Sequence, residues 1–198
     1  MAILNNAASG CPNFVQIPEN WSLVSDTQEL RQGQQVWVQR WQPEPKLEYG
    51  QPQITVVTAK QGLLHLLGYR DTTKITPGNP ISDEQALLIA LQALSTLSAE
   101  YTEGLTYLYV HVIPLGSGRR QVSWVKFAHY DGSFTMVSIN SRGEVCALDL
   151  AVAWDYARQR RSTEEWDNDD WLRALYKMGP QLAPPHALAE VRQKENGH

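Results

Sequence analysis

The segment ISDEQALLIALQALSTL, Ile81 to Leu97, is the most strongly patterned stretch of the chain, and its reading sets the fold expected around it. Ser82 takes an N-cap position with Gln85 three residues on, the spacing of a capping box. Asp83 and Glu84 place negative charge on the first turn, where the helix dipole favours it. Ala86, Leu87, Ala90, Leu91, Leu94 and Leu97 then recur at three- and four-residue steps and make a broad apolar stripe. Such a stripe must be buried against another element.

That element is expected from the strands on either side. Downstream, TYLYVHVI (Thr106 to Ile113), QVSWVKFAHY (Gln121 to Tyr130), SFTMVSIN (Ser133 to Asn140) and EVCALDL (Glu144 to Leu150) read as four strands separated by turn signals. Asp131-Gly132 is the strongest hairpin signal and points to a type I′ turn. Upstream, VWVQRW (Val36 to Trp41) alternates with period two, so Trp37 and Trp41 share a face with Gln39. ITVVTA (Ile54 to Ala59) is β-branched, and LLHLLGYR (Leu63 to Arg70) reads as a third strand. From Ala151 the pattern turns helical again, first AVAWDYARQRR and then STEEWDNDDWLRALYKM, which Gly179-Pro180 stops. The expected class is α+β: an antiparallel sheet meander packed on a central helix, with C-terminal helices. In order, the chain divides into an extended lead-in at 1–33, a β-meander at 34–75, an α+β module at 76–150, C-terminal helices at 151–180 and a flexible tail at 181–198.

Composition limits what this body does. With 42% hydrophobic and 19% charged residues among 198, the chain has the profile of a globular protein rather than a disordered or fibrous one. A net charge of -4, from 17 basic and 21 acidic residues, argues against a surface that neutralises phosphates, so no nucleic-acid partner is expected. No run of about 18 to 20 apolar residues spans a bilayer. The N-terminus lacks a basic region followed by an apolar run, so the chain as written reads as cytoplasmic, or as extracytoplasmic if a leader was removed. Cys11 and Cys146 have no CxxC or CxxH companion, which excludes a zinc or redox motif around them. A disulfide between them is open, and two reduced thiols are the simpler reading, with Cys146 inside a strand as a small hydrophobe.

The order of elements resembles a PepSY-type domain, a small α+β module of metallopeptidase propeptides and bacterial envelope proteins. ISDEQALLIALQAL is similar to the family's capped, Ala-rich helix. TMVSINSRGEVCAL resembles its closing hairpin, with Gly143-Glu144-Val145 at the turn and Asn140 where the family usually has aspartate. VWVQRWQPEP with ITVVTAKQGLLHLL resembles the strand half of a preceding, degenerate copy. The resemblance implies a complete module after a degenerate partner, covers somewhat over half of the chain, and implies a non-catalytic interaction or inhibitory role. A cystatin-like or nuclear-transport-factor-like sheet wrapped on a helix would give a similar order.

Candidate sites are few. The chain has seven tryptophans, and Trp37 and Trp41 on one strand face form a candidate platform for a partner, or a seam between sheet and helix. Tyr107, Tyr109 and His111 share one face of the next candidate strand. A hairpin near Ser117 pairs His111 near Ser123 and leaves His129 several residues away, a poor two-histidine metal site. Glu164, Glu165, Asp167, Asp169 and Asp170 form the densest acidic run, without the calcium-loop spacing. Gly116-Ser117-Gly118 beside Arg119 and Arg120 reads as a hairpin tip or an anion nest. There is no GxSxG, HExxH, Walker loop or GxGxxG, so no cofactor, metal or catalytic residue is assigned.

Three functional readings follow. A non-catalytic binding or regulatory protein would engage a protein partner through exposed strand edges or the aromatic N-terminal hairpin. An enzyme would use His65 or His111 with a nearby carboxylate in an unrecognised pocket. A structural homodimer would join through the Trp-rich C-terminal helices. The first is the expectation that the residues favour.

Overall fold

The computed structural model describes residues 12–31, 33–48, 51–60, 62, 64–114, 120–156, 160 and 161. Four strands come first: β1 (Ser22–Arg31), β2 (Gln34–Gln42), β3 (Ile54–Ala59) and β4 (Leu66–Asp71). A 3-10 turn (Thr72–Lys74) leads to helix α1 (Asp83–Ser95) and the short α2 (Ala99–Glu103). Then come β5 (Leu105–Pro114), β6 (Gln121–His129), β7 (Phe134–Ile139) and β8 (Val145–Val152), and a two-residue pair, β9 (Trp154–Asp155) with β10 (Arg160–Arg161).

The first eight strands form one antiparallel sheet in the order β1-β2-β3-β4-β8-β7-β6-β5. Two meanders thus meet along β4 and β8, where Gly68 pairs with Asp149, Tyr69 with Leu148 and Arg70 with Ala147. The strands at this centre are buried on both faces: all six residues of β3, and five of the six in β4. That is why ITVVTA reads as a continuous β-branched run rather than an alternating one. Gly68 lets β4 lie close against β3 beside the seam, since a Cβ there would stand 3.2 Å from a Val57 methyl.

This sheet overturns the expected α+β class. The sheet, not a central helix, organises the core, and α1 packs mainly on the β5 to β8 half. The apolar stripe of α1 proves narrow. It buries Ala86, Ala90, Ala93 and Leu94, small residues that bring the helix close, while Leu88 is 60% exposed and Leu91 also faces out. The expected C-terminal helices also fail where the structure describes them. Ala151 and Val152 continue β8, with Val152 opposite Phe134, and Trp154–Asp155 pairs with Arg160–Arg161. Ala-rich AVAW has no period that separates helix from strand, so cross-strand pairing decides it. Ala151 lies where the β7–β8 register shifts, at a φ of 51°, and donates its N–H to the buried Tyr101 hydroxyl at 3.0 Å. The expected helix over STEEWDNDDWLRALYKM lies outside the described residues, as does the tail. Residues 22–31, within the expected lead-in, form β1.

The tight turns are also instructive. His129 N–H bonds Ser133 O at 2.9 Å and Asn140 N–H bonds Glu144 O at 3.0 Å, so each hairpin closes on three residues rather than the two of a type I′ turn. The third loop residue is glycine in both, Gly132 at φ 86° and Gly143 at φ 78°. Gly143 has a second reason to lack a side chain, because Ile89 of α1 would meet its Cβ at 3.3 Å. Asn140 and Arg142 hydrogen-bond the Glu144 carboxylate at 2.7 and 2.6 Å, and together they hold it below the ordinary carboxylate range. At Asp131 burial works to raise the pKa, but hydrogen bonds from Ser133 and His129 outweigh it and the net direction is down.

Two outcomes follow for stability. The capping box is present, with Ser82 Oγ accepting from Gln85 N–H at 3.3 Å and Gln85 Oε1 accepting from Ser82 N–H at 3.4 Å. Ser82→Ala is expected to cost about 0.5–2 kcal/mol in chemical denaturation, and an unchanged midpoint would mean that α1 does not depend on this cap. Because Glu144 and Asp131 titrate lower folded than unfolded, their contribution is full above the unfolded carboxylate pKa of roughly 4 and is lost as pH falls through the folded values. The thermal midpoint should therefore drop below about pH 4.5, and Glu144→Gln should lower it at pH 7 while narrowing the gap at pH 3.

Candidate functional site

The five residues expected to form a site do not come together. Trp37 and Trp41 lie on β2, and Tyr107, Tyr109 and His111 on β5. Five strands separate β2 from β5 in the sheet, a distance on the order of 25–30 Å along it. Trp41, opposite Ile54, is 3% exposed and belongs to the hydrophobic core. Trp37, opposite Thr58, is half-buried. The N-terminal pair is mainly a packing feature.

The β5 trio is itself divided. A register shift between Tyr107 and Tyr109 sets Tyr107 opposite Phe127 but Tyr109 opposite Lys126. Phe127 and Lys126 are neighbours on β6 and face opposite sides, so the two tyrosines do as well. Tyr107 makes an edge contact with Phe127 of the core at 6.1 Å between centroids. Tyr109 lies 6.4 Å from Trp124 on the other face, which His111, opposite Trp124, shares. A bulge has no signature in LTYLYVHVIP, so simple alternation placed all three on one side.

Around Tyr109 the structure shows a grouping that the sequence does not reveal. The Lys126 ammonium lies 4.1 Å from the Phe134 ring centroid, 4.4 Å from Trp154, 5.7 Å from Trp124 and 5.9 Å from Tyr109. Four rings from β5, β6, β7 and β9 thus box one cation. Lys126 is buried, and burial lowers its pKa. Each ring facing the ammonium returns about 0.5–2 kcal/mol of cation–π attraction, which offsets part of that desolvation. Only the pairing of β6 with both neighbours and the return of β9 over the sheet assemble the box. Three of its rings are half-buried and Tyr109 is exposed, so the box lies at the surface.

Other clusters are satisfied internally. Tyr69, with its pKa raised chiefly by burial, accepts from Lys74 Nζ at 2.9 Å and lies 3.2 Å from the Phe14 carbonyl. The buried pair Asp149 and Arg161 ties β10 to β8. His129 is stacked on Tyr101 at 4.9 Å, with Nδ1 3.0 Å from Asp131. It lies opposite Leu105, far along β6 from the partner of His111, and among the described residues no group of three His, Cys, Asp or Glu side chains can hold a metal ion. His65 is exposed, with Nδ1 3.0 Å from the Ala59 carbonyl. An open groove of about 390 Å³ runs between α1 and the Ser141-Arg142-Gly143 turn, and no histidine lines it. The acidic run from Glu164 to Asp170 and the Gly116-Ser117-Gly118 tip lie outside the described residues. No helix among the described residues is long and apolar enough to cross a membrane.

Cys146 is free and buried, with Sγ 3.3 Å from the Ser138 carbonyl, and burial pushes its thiol up to about 12. Alkylation by iodoacetamide at pH 8 should therefore spare Cys146 in the native protein and label it only after unfolding; fast native labelling would contradict this packing. No protein-family model, curated protein or solved structure matches the chain.

Proposed function

We propose that the chain is a non-catalytic binding protein that engages a protein partner by adding a strand of that partner to the outer edge of β5, which no strand among the described residues pairs. The observation that carries this reading is the character of the edge. β5 is ten residues long, LTYLYVHVIP, and has no Asp, Glu, Lys or Arg. Tyr107, Leu108 and Tyr109 are each more than 40% exposed in sequence. A long, exposed, apolar edge presents unpaired backbone donors and acceptors, and proteins normally blunt it with charge. The opposite edge is blunted in this way, since β1 places Asp26 and Glu29 on the outermost strand. Strand addition uses the backbone groups for affinity and the alternate side chains for selectivity.

Two further points support the reading. The resemblance of the capped helix and closing hairpin to PepSY-type modules implies an interaction role without catalytic residues. The second proposed surface, the aromatic N-terminal hairpin, is weakened by the burial of Trp41.

The test places charge on the edge without touching the core. Thr106 and Leu108 are exposed, so Thr106→Glu with Leu108→Glu should shift the thermal midpoint by only a few degrees. Affinity capture from the native source, quantified by mass spectrometry, should recover a partner with wild type and lose at least about tenfold with the double variant. A stoichiometric partner captured equally by both forms would overturn the β5 reading.

A further inference from the structure

We propose that the strand received by β5 is acidic: it carries a carboxylate, on the residue flanking Tyr109, that seats over the ammonium of Lys126. This rests on the reading of β5 as the docking edge and adds the chemistry of the occupant.

Charge is the first argument. β5, β6 and β7 together contain no Asp or Glu, and Lys126 is their one Lys or Arg. The chain as a whole carries -4, whereas these three strands carry one positive charge and no negative one. In the row of paired residues across this face, Tyr109, Lys126, Met136 and Asp149 follow one another. The nearest acid in that row is therefore two strands from Lys126, and it is already bonded to Arg161. Among the described residues Lys126 has aromatic rings for neighbours and no carboxylate in an ion pair.

Reach is the second. An added strand lies about 4.8 Å beyond β5, and its residue opposite Tyr109 projects to the same face as Tyr109 and Lys126. The Lys126 ammonium is 5.9 Å from the Tyr109 ring centroid, so a glutamate opposite Tyr109 would extend across the edge of that ring toward it, and the flexible lysine stem would turn to meet it. The surrounding Trp124, Phe134 and Trp154 rings are partly exposed, and they exclude water from such a contact and strengthen it. A neutral strand would bury the edge but leave the ammonium without an anion beneath it.

The experiment selects random heptapeptides, displayed on phage, against the immobilised full chain. Wild type should enrich alternating apolar sequences with Glu or Asp at one fixed position. Replacing that acid by Gln in a synthetic peptide should weaken binding roughly tenfold, the size of one charge-assisted contact. Lys126→Met should keep the alternating pattern and lose the acidic position, and Lys126→Arg should keep both. Wild-type selection of alternating peptides with no acidic preference would overturn the acidic occupant while leaving the β5 edge intact. Equal enrichment on the Thr106→Glu, Leu108→Glu variant, whose edge charges repel an acidic strand, would overturn the edge itself. The wild-type selection decides the matter even where Lys126→Met fails to fold.

Discussion

Three residue pairs, Gly68 with Asp149, Tyr69 with Leu148 and Arg70 with Ala147, join two four-stranded meanders into one sheet. The pairing spans about eighty residues of chain, so its closure cost must be met by what it buries. Tyr69 and Leu148 are fully buried there, and the absent side chain of Gly68 lets Val57 pack against the join. A polar clasp reinforces one end: Lys74 bonds the Tyr69 hydroxyl and the Phe14 carbonyl, and Asn140 donates to the Lys74 carbonyl at 2.8 Å. Asn140 thereby binds the β7–β8 turn to the exit of β4. Without this seam each half would have another open edge and too little sheet to cover its core.

The seam also explains which parts of the fold were legible in the sequence. Local signals survive: the capping box at Ser82, the strand alternation at Val36 to Trp41 and the turn glycines at 132 and 143 all depend on neighbours in the chain. What fails depends on distant contacts. The stripe of α1 looks broad because leucines are counted by periodicity, yet only its alanine side and Leu94 are fully buried, Leu87 is partly covered, and Leu91 is exposed. Strand β1 is hidden because SLVSDTQELR has little apolar periodicity; its pairing with β2 over nine positions makes it a strand. Ala151 and Val152 look helical until β7 claims them.

The site follows the same division. Exposed β5 aromatics are readable from alternation, but the bulge that sends Tyr107 and Tyr109 to opposite faces is a property of pairing with β6. Lys126 is an ordinary alternating polar residue in QVSWVKFAHY, the kind expected to face solvent. It becomes a boxed cation only because Phe134 arrives from β7 and Trp154 from the return strand over the same face.

The two edges of the sheet are therefore unequal for a physical reason. Each meander ends in an outermost strand, so a sheet sealed at its middle has to manage both ends separately. β1 does so with Asp26 and Glu29. On β5 the devices among the described residues are the bulge at Leu108 and Pro114 at the strand's end, and between them Val110 to Ile113 stay in regular register with β6. An edge kept free of charge costs solubility and invites pairing. On the proposed reading the seam makes that cost useful, since a strand added at β5 would meet a preformed ladder fixed through eight strands and would order mainly itself. The boxed lysine sits one strand inward from that ladder, buried among rings that come from β5, β6, β7 and β9.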